Sequence, residues 1–493
     1  MMSAPSSIVV VGRDAALWLS ACVLRAALRP AGVSVTAVEL PTRLTSADVH
    51  ASLPPLEALH GMLGLDEADV LRATRGAFSL GQNFADVSGA TPSFFHAHGA
   101  YGAPIDSRDF FPFWLKARGL GLNVALDEFS LTAAAARQGR VLLPDEETEV
   151  FGRADYGYHL PALAYAATLK GLAKRLGVTL HQALSAAPTL DADGDIAALE
   201  LGEGRSVAGD LFVDATGVEA VLMTALGVAR ESWRAHFPAD RVLRAQGPRF
   251  ASLPPYADIR AWARGWVGLH PNQAATHVIQ VYAGDLCTDD QAFEMAARVS
   301  GLALGDAVVS VSDPGRRVQA WSRNCVAIGE AACAFDPVHG VDLQAVQLGL
   351  VHLLSLFPVA AEFAAERSAY NDTVREAYER LRDFQSAHYV ANRYAKAPFW
   401  ERARAATASD VLAHKIAVFR ARGEIPPSEH ETFVADSWRA LFTGHGLTPE
   451  TYAPMIDRTP PETIKGEFQR ILSFIKDQAL RQPTHDLYLE SFC

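Results

Sequence analysis

The sequence predicts an α/β protein: a Rossmann-like dinucleotide-binding body with a mixed sheet, joined to a helical C-terminal module. Three observations carry this. Near the N-terminus a β-branched strand runs into a glycine turn, a helix and a second strand that ends in an acid, all within about 30 residues. Two later runs, DLFVDATG at 210–217 and NCVAIG at 324–329, read as buried strands closing on glycine. Beyond about Val359 the pattern is helical, broken at 423–427, 444–449 and Pro460-Pro461.

The first strand is SIVVVG (7–12), too uniformly apolar to be half-exposed. Residues 13–28, rich in Ala and Leu, follow as a helix, and VSVTAVE (33–39) is the second strand, closed by Glu39. Helical periodicity returns over 54–70, and 104–120 is aromatic and punctuated by proline. Residues 158–176 read as an amphipathic helix with a basic polar face. Over 178–213 the period drops towards two, with Asp193-Gly194 and Glu203-Gly204 where hairpin turns belong. ATHVIQVY (275–282) is a strand, and 330–357 reads as mostly helical. The expected division is an α/β body over 1–358, with substrate-side segments inserted at about 90–160 and 220–310, and a helical module over 359–493.

Composition sets the functional bounds. A net charge of -12 speaks against a nucleic-acid surface, which needs clustered Lys and Arg. The five cysteines, Cys22, Cys287, Cys325, Cys333 and Cys493, show no paired spacing, which fits reduced thiols in a cytoplasmic protein and no zinc site. Residues 1–7 carry no basic n-region, so no signal peptide is read there. The most apolar later segment, 348–363, is interrupted by His352 and Pro358 and is too short to span a bilayer, so no membrane partner is expected.

Longer stretches are more specific than these patterns. HASLPPLEALHGMLGLDEADVLRAT (50–74), GAPIDSRDFFPFWLKARGLG (102–121), YGYHLPALAYAATLKGLA (156–173), SEHETFVADSWRALFTGHGLTPETYAP (428–454) and QPTHDLYLESFC (482–493) occur in order along the chain. With DLFVDATG and NCVAIGEAACAFDP (324–337), they resemble the flavin-dependent tryptophan halogenase family nearly end to end. The resemblance implies a flavoprotein-monooxygenase-type FAD module, a helical substrate module, a separate flavin reductase and an indole-like aromatic substrate. It also implies a tunnel that carries hypohalous acid to a lysine and a glutamate. FAD contacts carried over from it fall on Gly12, Arg13, Asp14, Glu39, Asp214, Gly217, Gly329, Glu330 and Leu343.

Against that pattern the chain departs at the positions that do the chemistry. The GxGxxG places are Gly12, Asp14 and Leu17, which sets a carboxylate where a pyrophosphate should lie and a branched chain where a helix must approach a strand. Glu39 still stands where a ribose-binding acid belongs, and Trp18 still follows the turn. An acid near the flavin has become His50. The family's catalytic lysine falls on Ser79 in GAFSLG, and its catalytic glutamate on His339 in DPVHGVD. A hydroxyl has neither the charge nor the nucleophilicity of an amine. The halide-binding turn falls on Gly340, Val341 and Asp342, where a carboxylate repels a halide. In the Trp-x-Trp-x-Ile-Pro signature, Trp266 and Pro271 remain while Gly268 and His270 replace bulky residues, which is expected to open space on the tunnel side.

Three departures, His50, His270 and His339, are all to histidine. An acid–base or metal site is one reading; coincidence in a chain with 16 histidines, without metal-ligand spacing, is the other. Two functions follow. In one, catalysis for halogenation is lost and the chain is a binding or partner protein, pairing with a paralogous halogenase or holding an aromatic small molecule. In the other it is an active FAD-dependent halogenase or monooxygenase on an indole-like substrate with altered flavin contacts.

Overall fold

The computed structural model describes residues 5–142, 155–360, 363–394 and 396–493. The expectation for 1–7 therefore lies partly outside the described residues, as does the end of 348–363. The chain divides into two compact units, each built from three segments: Met1–Arg75, Leu160–Arg234 and Asp313–Arg382 in the first, and Gly76–His159, Ala235–Ser312 and Asp383–Cys493 in the second.

The first unit is organised by a six-stranded sheet. Strands Leu211–Ala215, Ser7–Gly12, Ser34–Glu39 and Thr179–Gln182 lie side by side and parallel. Cys325–Ala327 adds in parallel on the other flank, with Trp321–Ser322 antiparallel at the edge. Val9, Val10 and Val11 are buried, as the β-branched run requires of a strand covered on both faces. Helix Asp14–Leu28 begins two residues after the first strand ends. The predicted turns at Asp193-Gly194 and Glu203-Gly204 join the antiparallel strands Ala187–Leu190, Ile196–Gly202 and Arg205–Ala208. Glu203 and Gly204 both have positive φ, +55° and +71°, matching the right-handed twist of a two-residue hairpin.

Two readings change. Residues 158–176 are not one helix: Gly157–Pro161 is a strand and Ala162–Arg175 the helix. Leu160 precedes a proline, which disfavours α backbone, and Tyr158, His159 and Leu160 are buried, so their peptide groups need ladder partners. Residues 330–357 are likewise broken into short turns before helix Asp342–Ser355, because Pro337 and the left-handed Gly340 interrupt any continuous helix.

The second unit is built on a seven-stranded sheet in the order Val308–Val311, Arg241–Pro248, Ala275–Tyr282, Gly265–Pro271, Ala257–Trp262, Gly81–Asp86, Phe94–Ala97. All neighbours are antiparallel except Ala257–Trp262 with Gly81–Asp86. On one face Leu243, Val267, Leu269, Val278 and Tyr282 join Ala292 and Ala296 of helix Asp289–Ser300 in an apolar core. The C-terminal segment of the same unit is helical, with breaks near Gly423, Gly444 and Pro460 as the sequence predicts.

Candidate functional site

Parallel pairing in the first unit sets Gly12 opposite both Glu39 and Ala215, so the turn after the first strand, the acid ending the second and the DATG turn all meet at the carboxyl edge of the sheet. That edge is where ligands bind in open α/β sheets. Gly12 is held there by packing: a β-carbon on it would stand 2.2 Å from the Ala215 carbonyl oxygen. Asp14 has φ +58°, a left-handed conformation that glycine adopts without strain and aspartate does not. The loop thus keeps the backbone shape of a glycine turn while carrying a carboxylate. Leu17 is fully buried, so the branched chain at the third place packs inward.

Glu39 is committed. The Lys170 ammonium donates to both its oxygens, at 2.8 Å and 2.6 Å, and the Gln182 amide donates to Oε2 at 2.8 Å. Lys170 also lies 5.5 Å over the Trp18 ring, so the helix residue after the turn helps hold the cation that holds the acid. Arg13 pairs with Glu219 at 3.3 Å, and Arg43 bonds the other oxygen of the same carboxylate.

Asp214 is fully buried and serves the fold. Its Oδ1 accepts from the Thr216 backbone (3.1 Å) and hydroxyl (2.7 Å), and its Oδ2 from the amides of Leu222 (2.8 Å) and Met223 (3.0 Å). Burial pushes its carboxyl above the usual range against the pull of those four bonds. Gly217 and Gly329 are left-handed, at φ +82° and +64°; Glu330 follows Gly329, its Oε2 3.7 Å from where a β-carbon on Gly217 would lie, and Leu343 is buried at the start of helix Asp342–Ser355.

The turn at 340–342, which the resemblance aligns with a halide-binding turn, lies in the same unit. His339 is buried, and Gly340 packs so closely that a β-carbon would stand 2.5 Å from the Ala51 carbonyl oxygen, which brings the backbone next to His50 against the turn after His339. Val341 is fully buried, and Asp342 occupies the first turn of its helix, where the helix dipole favours a carboxylate. The His50 ring meets Tyr165 edge-on at 6.0 Å.

Ser79, Trp266 and His270 belong to the second unit. Ser79 is buried and its hydroxyl donates to the Gly81 carbonyl at 3.3 Å. Trp266 donates from Nε1 to the Tyr389 hydroxyl at 2.8 Å. The space expected beside Trp266 is not open: a β-carbon on Gly268 would stand 3.0 Å from His270 Nε2 and 3.2 Å from the Trp266 ring, because the imidazole folds over the glycine. The exchange to Gly268 and the exchange to His270 compensate in volume.

His270 is one of a group that sequence reasoning missed. It pairs in register with His277 and lies 5.3 Å from the His159 ring, edge-on, while His159 Nδ1 bonds the Pro271 carbonyl at 2.9 Å. Two strands away, Gln82 pairs with His96, whose ring lies 6.2 Å from His98. Burial drops the His159 and His98 rings to about 4 and His96 to about 3, and His270 is held well below its usual range by burial and by His159 and His277. His96, His98, His159 and His270 are therefore neutral near pH 7. The available signal was the recurrence of histidine within strand-like runs (FFHAHG, YGYHLP, ATHVIQ). Beside them, Phe384 stacks on Phe433 at 3.7 Å and meets Trp438 edge-on at 4.8 Å, a tightly filled aromatic cluster.

A strand–glycine–helix edge with an acid ending the second strand, in a chain that also holds a sheet-and-helix second unit, defines the class as flavoprotein-like. The family model for tryptophan halogenase matches residues 7–461, and the chain belongs to that family. Among curated relatives it is 26% identical to tryptophan 6-halogenase SttH of Streptomyces toxytricini, over 95% of this chain and 94% of that one. Among solved structures it is similar to BrvH, a flavin-dependent halogenase from Brevundimonas sp. BAL3, with 31% identity, TM-score 0.93 and 99% of both chains covered. It is also similar to Xcc4156, a flavin-dependent halogenase from Xanthomonas campestris, with 28% identity, TM-score 0.94 and 99% of both chains covered. The family implies FAD as cofactor. Among the described residues no helix is long and apolar enough to cross a membrane.

Proposed function

We propose that this protein does not halogenate by the family route and that its scaffold serves to bind an aromatic small molecule or a partner protein. The carrying observation is Glu39, both of whose oxygens are held by Lys170 while one also accepts from Gln182. A ribose diol must compete with that ammonium for the carboxylate, and a pyrophosphate must approach a loop bearing the Asp14 carboxylate. These residues do not fit FAD in the usual pose. At the two positions of the family's catalytic pair stand a buried hydroxyl bonded to the carbonyl of Gly81 two residues on, Ser79, and a buried imidazole, His339. Single catalytic groups are worth factors of about 10² to 10⁴, and these losses fall on one reaction. A flavin reductase or a paralogous halogenase is the partner that family membership suggests, and the buried Cys22, Cys325 and Cys333 suit a cytoplasmic setting.

One observation favours the second reading, an active FAD-dependent halogenase or monooxygenase on an indole-like substrate. The glycine-turn backbone is intact, from the packed Gly12 to the left-handed residue 14. The absorbance spectrum of purified protein, alone and with added FAD or reduced FAD, separates the two. No bound flavin is expected; stoichiometric flavin at micromolar concentration overturns the binding-protein reading and restores the enzyme.

A further inference from the structure

We propose that a cleft beside the edge strand Phe94–Ala97 of the second unit binds an anionic group carried on a flat apolar ring, an aromatic carboxylate or aryl phosphate. The cleft encloses about 290 Å³. That is near the lower end for small-molecule sites, roughly 300 to 1,000 Å³, and far too small for a dinucleotide. Phe94, Tyr101 and Trp114 are in its wall with Arg118, Arg393 and Asn123.

The charge balance selects an anion. Arg118 lies 4.9 Å over the Trp114 ring, one turn along helix Phe110–Gly119, and Trp114 is pinned by its Nε1 bond to the Val124 carbonyl at 3.1 Å. Arg393 donates to the Pro92 carbonyl at 3.2 Å. Neither guanidinium forms an ion pair among the described residues, in a chain whose net charge is -12. The one acid in the wall, Asp127, is answered by Arg137 and also accepts from the Phe95 amide at 2.7 Å. Partial burial, with a smaller contribution from the charge of Arg118, holds the Arg393 guanidinium below its usual range, and a bound anion opposes that shift. Two planar forks are suited to carboxylate or phosphate oxygens, and the aromatic wall is suited to a flat ring. The proposal does not depend on whether flavin binds, since it rests on a different set of residues.

The test is isothermal titration of the purified full-length chain at low ionic strength with phenyl phosphate, benzoate, inorganic phosphate and neutral benzyl alcohol. One-to-one binding of phenyl phosphate or benzoate is expected, weakening with added salt, with the tighter of the two naming the acid. The double variant R118Q/R393Q, both at exposed side chains, should lose about tenfold or more in affinity while keeping its melting temperature. Arg118→Gln alone provides the same reading should the double variant fold poorly. Undiminished binding by a well-folded variant, no binding of either aryl anion, or benzyl alcohol binding as well as benzoate overturns the proposal. Inorganic phosphate binding as tightly as phenyl phosphate overturns its aromatic half.

Discussion

The Lys170 ammonium bridges both carboxylate oxygens of Glu39, at 2.8 Å and 2.6 Å, and so occupies the acid that ends the second strand of a dinucleotide-type fold. The contact is an ion pair between side chains 27% and 20% exposed. At that exposure its own contribution to stability is about 1 kcal/mol or less.

The combined change Asp14→Gly and Lys170→Met therefore removes the carboxylate from the phosphate loop and frees Glu39. FAD affinity, followed by flavin fluorescence quenching, should rise by about tenfold or more over the parent. Asp14→Gly alone should not destabilise the fold, because glycine adopts φ +58° without strain; a gain of roughly 0.5 to 1 kcal/mol is expected from urea denaturation. A double variant that still ignores FAD would show that these two residues are not what excludes it.

Gly12→Ala should be severe. Its β-carbon would fall 2.2 Å from a backbone oxygen that belongs to the neighbouring strand and cannot swing away. A loss of about 2 to 4 kcal/mol, or failure to fold, is expected in denaturant titration. Gly340→Ala, facing the Ala51 carbonyl at 2.5 Å in a left-handed turn, should act in the same direction. A change within about 0.5 kcal/mol at either glycine would contradict the packing described.

Stability should fall as pH is lowered below neutrality. His60, His98, His159 and His485 are depressed to about 4, and His96 and His445 to about 3, chiefly by burial. In the unfolded chain each takes up a proton near its ordinary value of about 6.5, while the folded chain resists until its own lower value is reached. Between about pH 6.5 and 4 the unfolded state therefore holds more protons, and stability rises with pH across that window and levels off above it. Urea midpoints measured from pH 8 to 4.5 check this. His96→Gln should flatten the slope by the share of one proton, and an unchanged slope would mean that the ring is not buried neutral.

Thiol chemistry should be slow in the native protein. Burial pushes the Cys22 thiol up to about 12, and Cys325 and Cys333 well above the ordinary range. With so little thiolate, none of the three should react with an aromatic disulfide reagent at pH 8 until denaturant is added. Rapid native labelling of Cys22, located by peptide mapping, would contradict its placement.

How much of this was legible beforehand varies with the kind of signal. The strand Ser7–Gly12 and the hairpin turn at Glu203-Gly204 were readable because each is specified locally, by a β-branched run and by a turn that requires positive φ. Gly265–Pro271 and Ala275–Tyr282 are buried along their entire lengths, so no alternation marks which residues share a face, and the histidine row they contribute to was hidden. Residues 158–161 read as helix from sequence because their apolar spacing is compatible with both periods, and ladder pairing such as that with Ala77–Ser79 makes them a strand.

By itself, the sequence determined the α/β class, the family and the identity of the residues at Asp14, Ser79 and His339, because composition, local periodicity and motif order are properties of the chain alone. Tertiary structure decided what those residues meet: that Lys170, 131 positions from Glu39, holds its carboxylate, and that His270 folds over Gly268. Both depend on strand register and on packing between segments distant in the chain, which residue order constrains only through the fold.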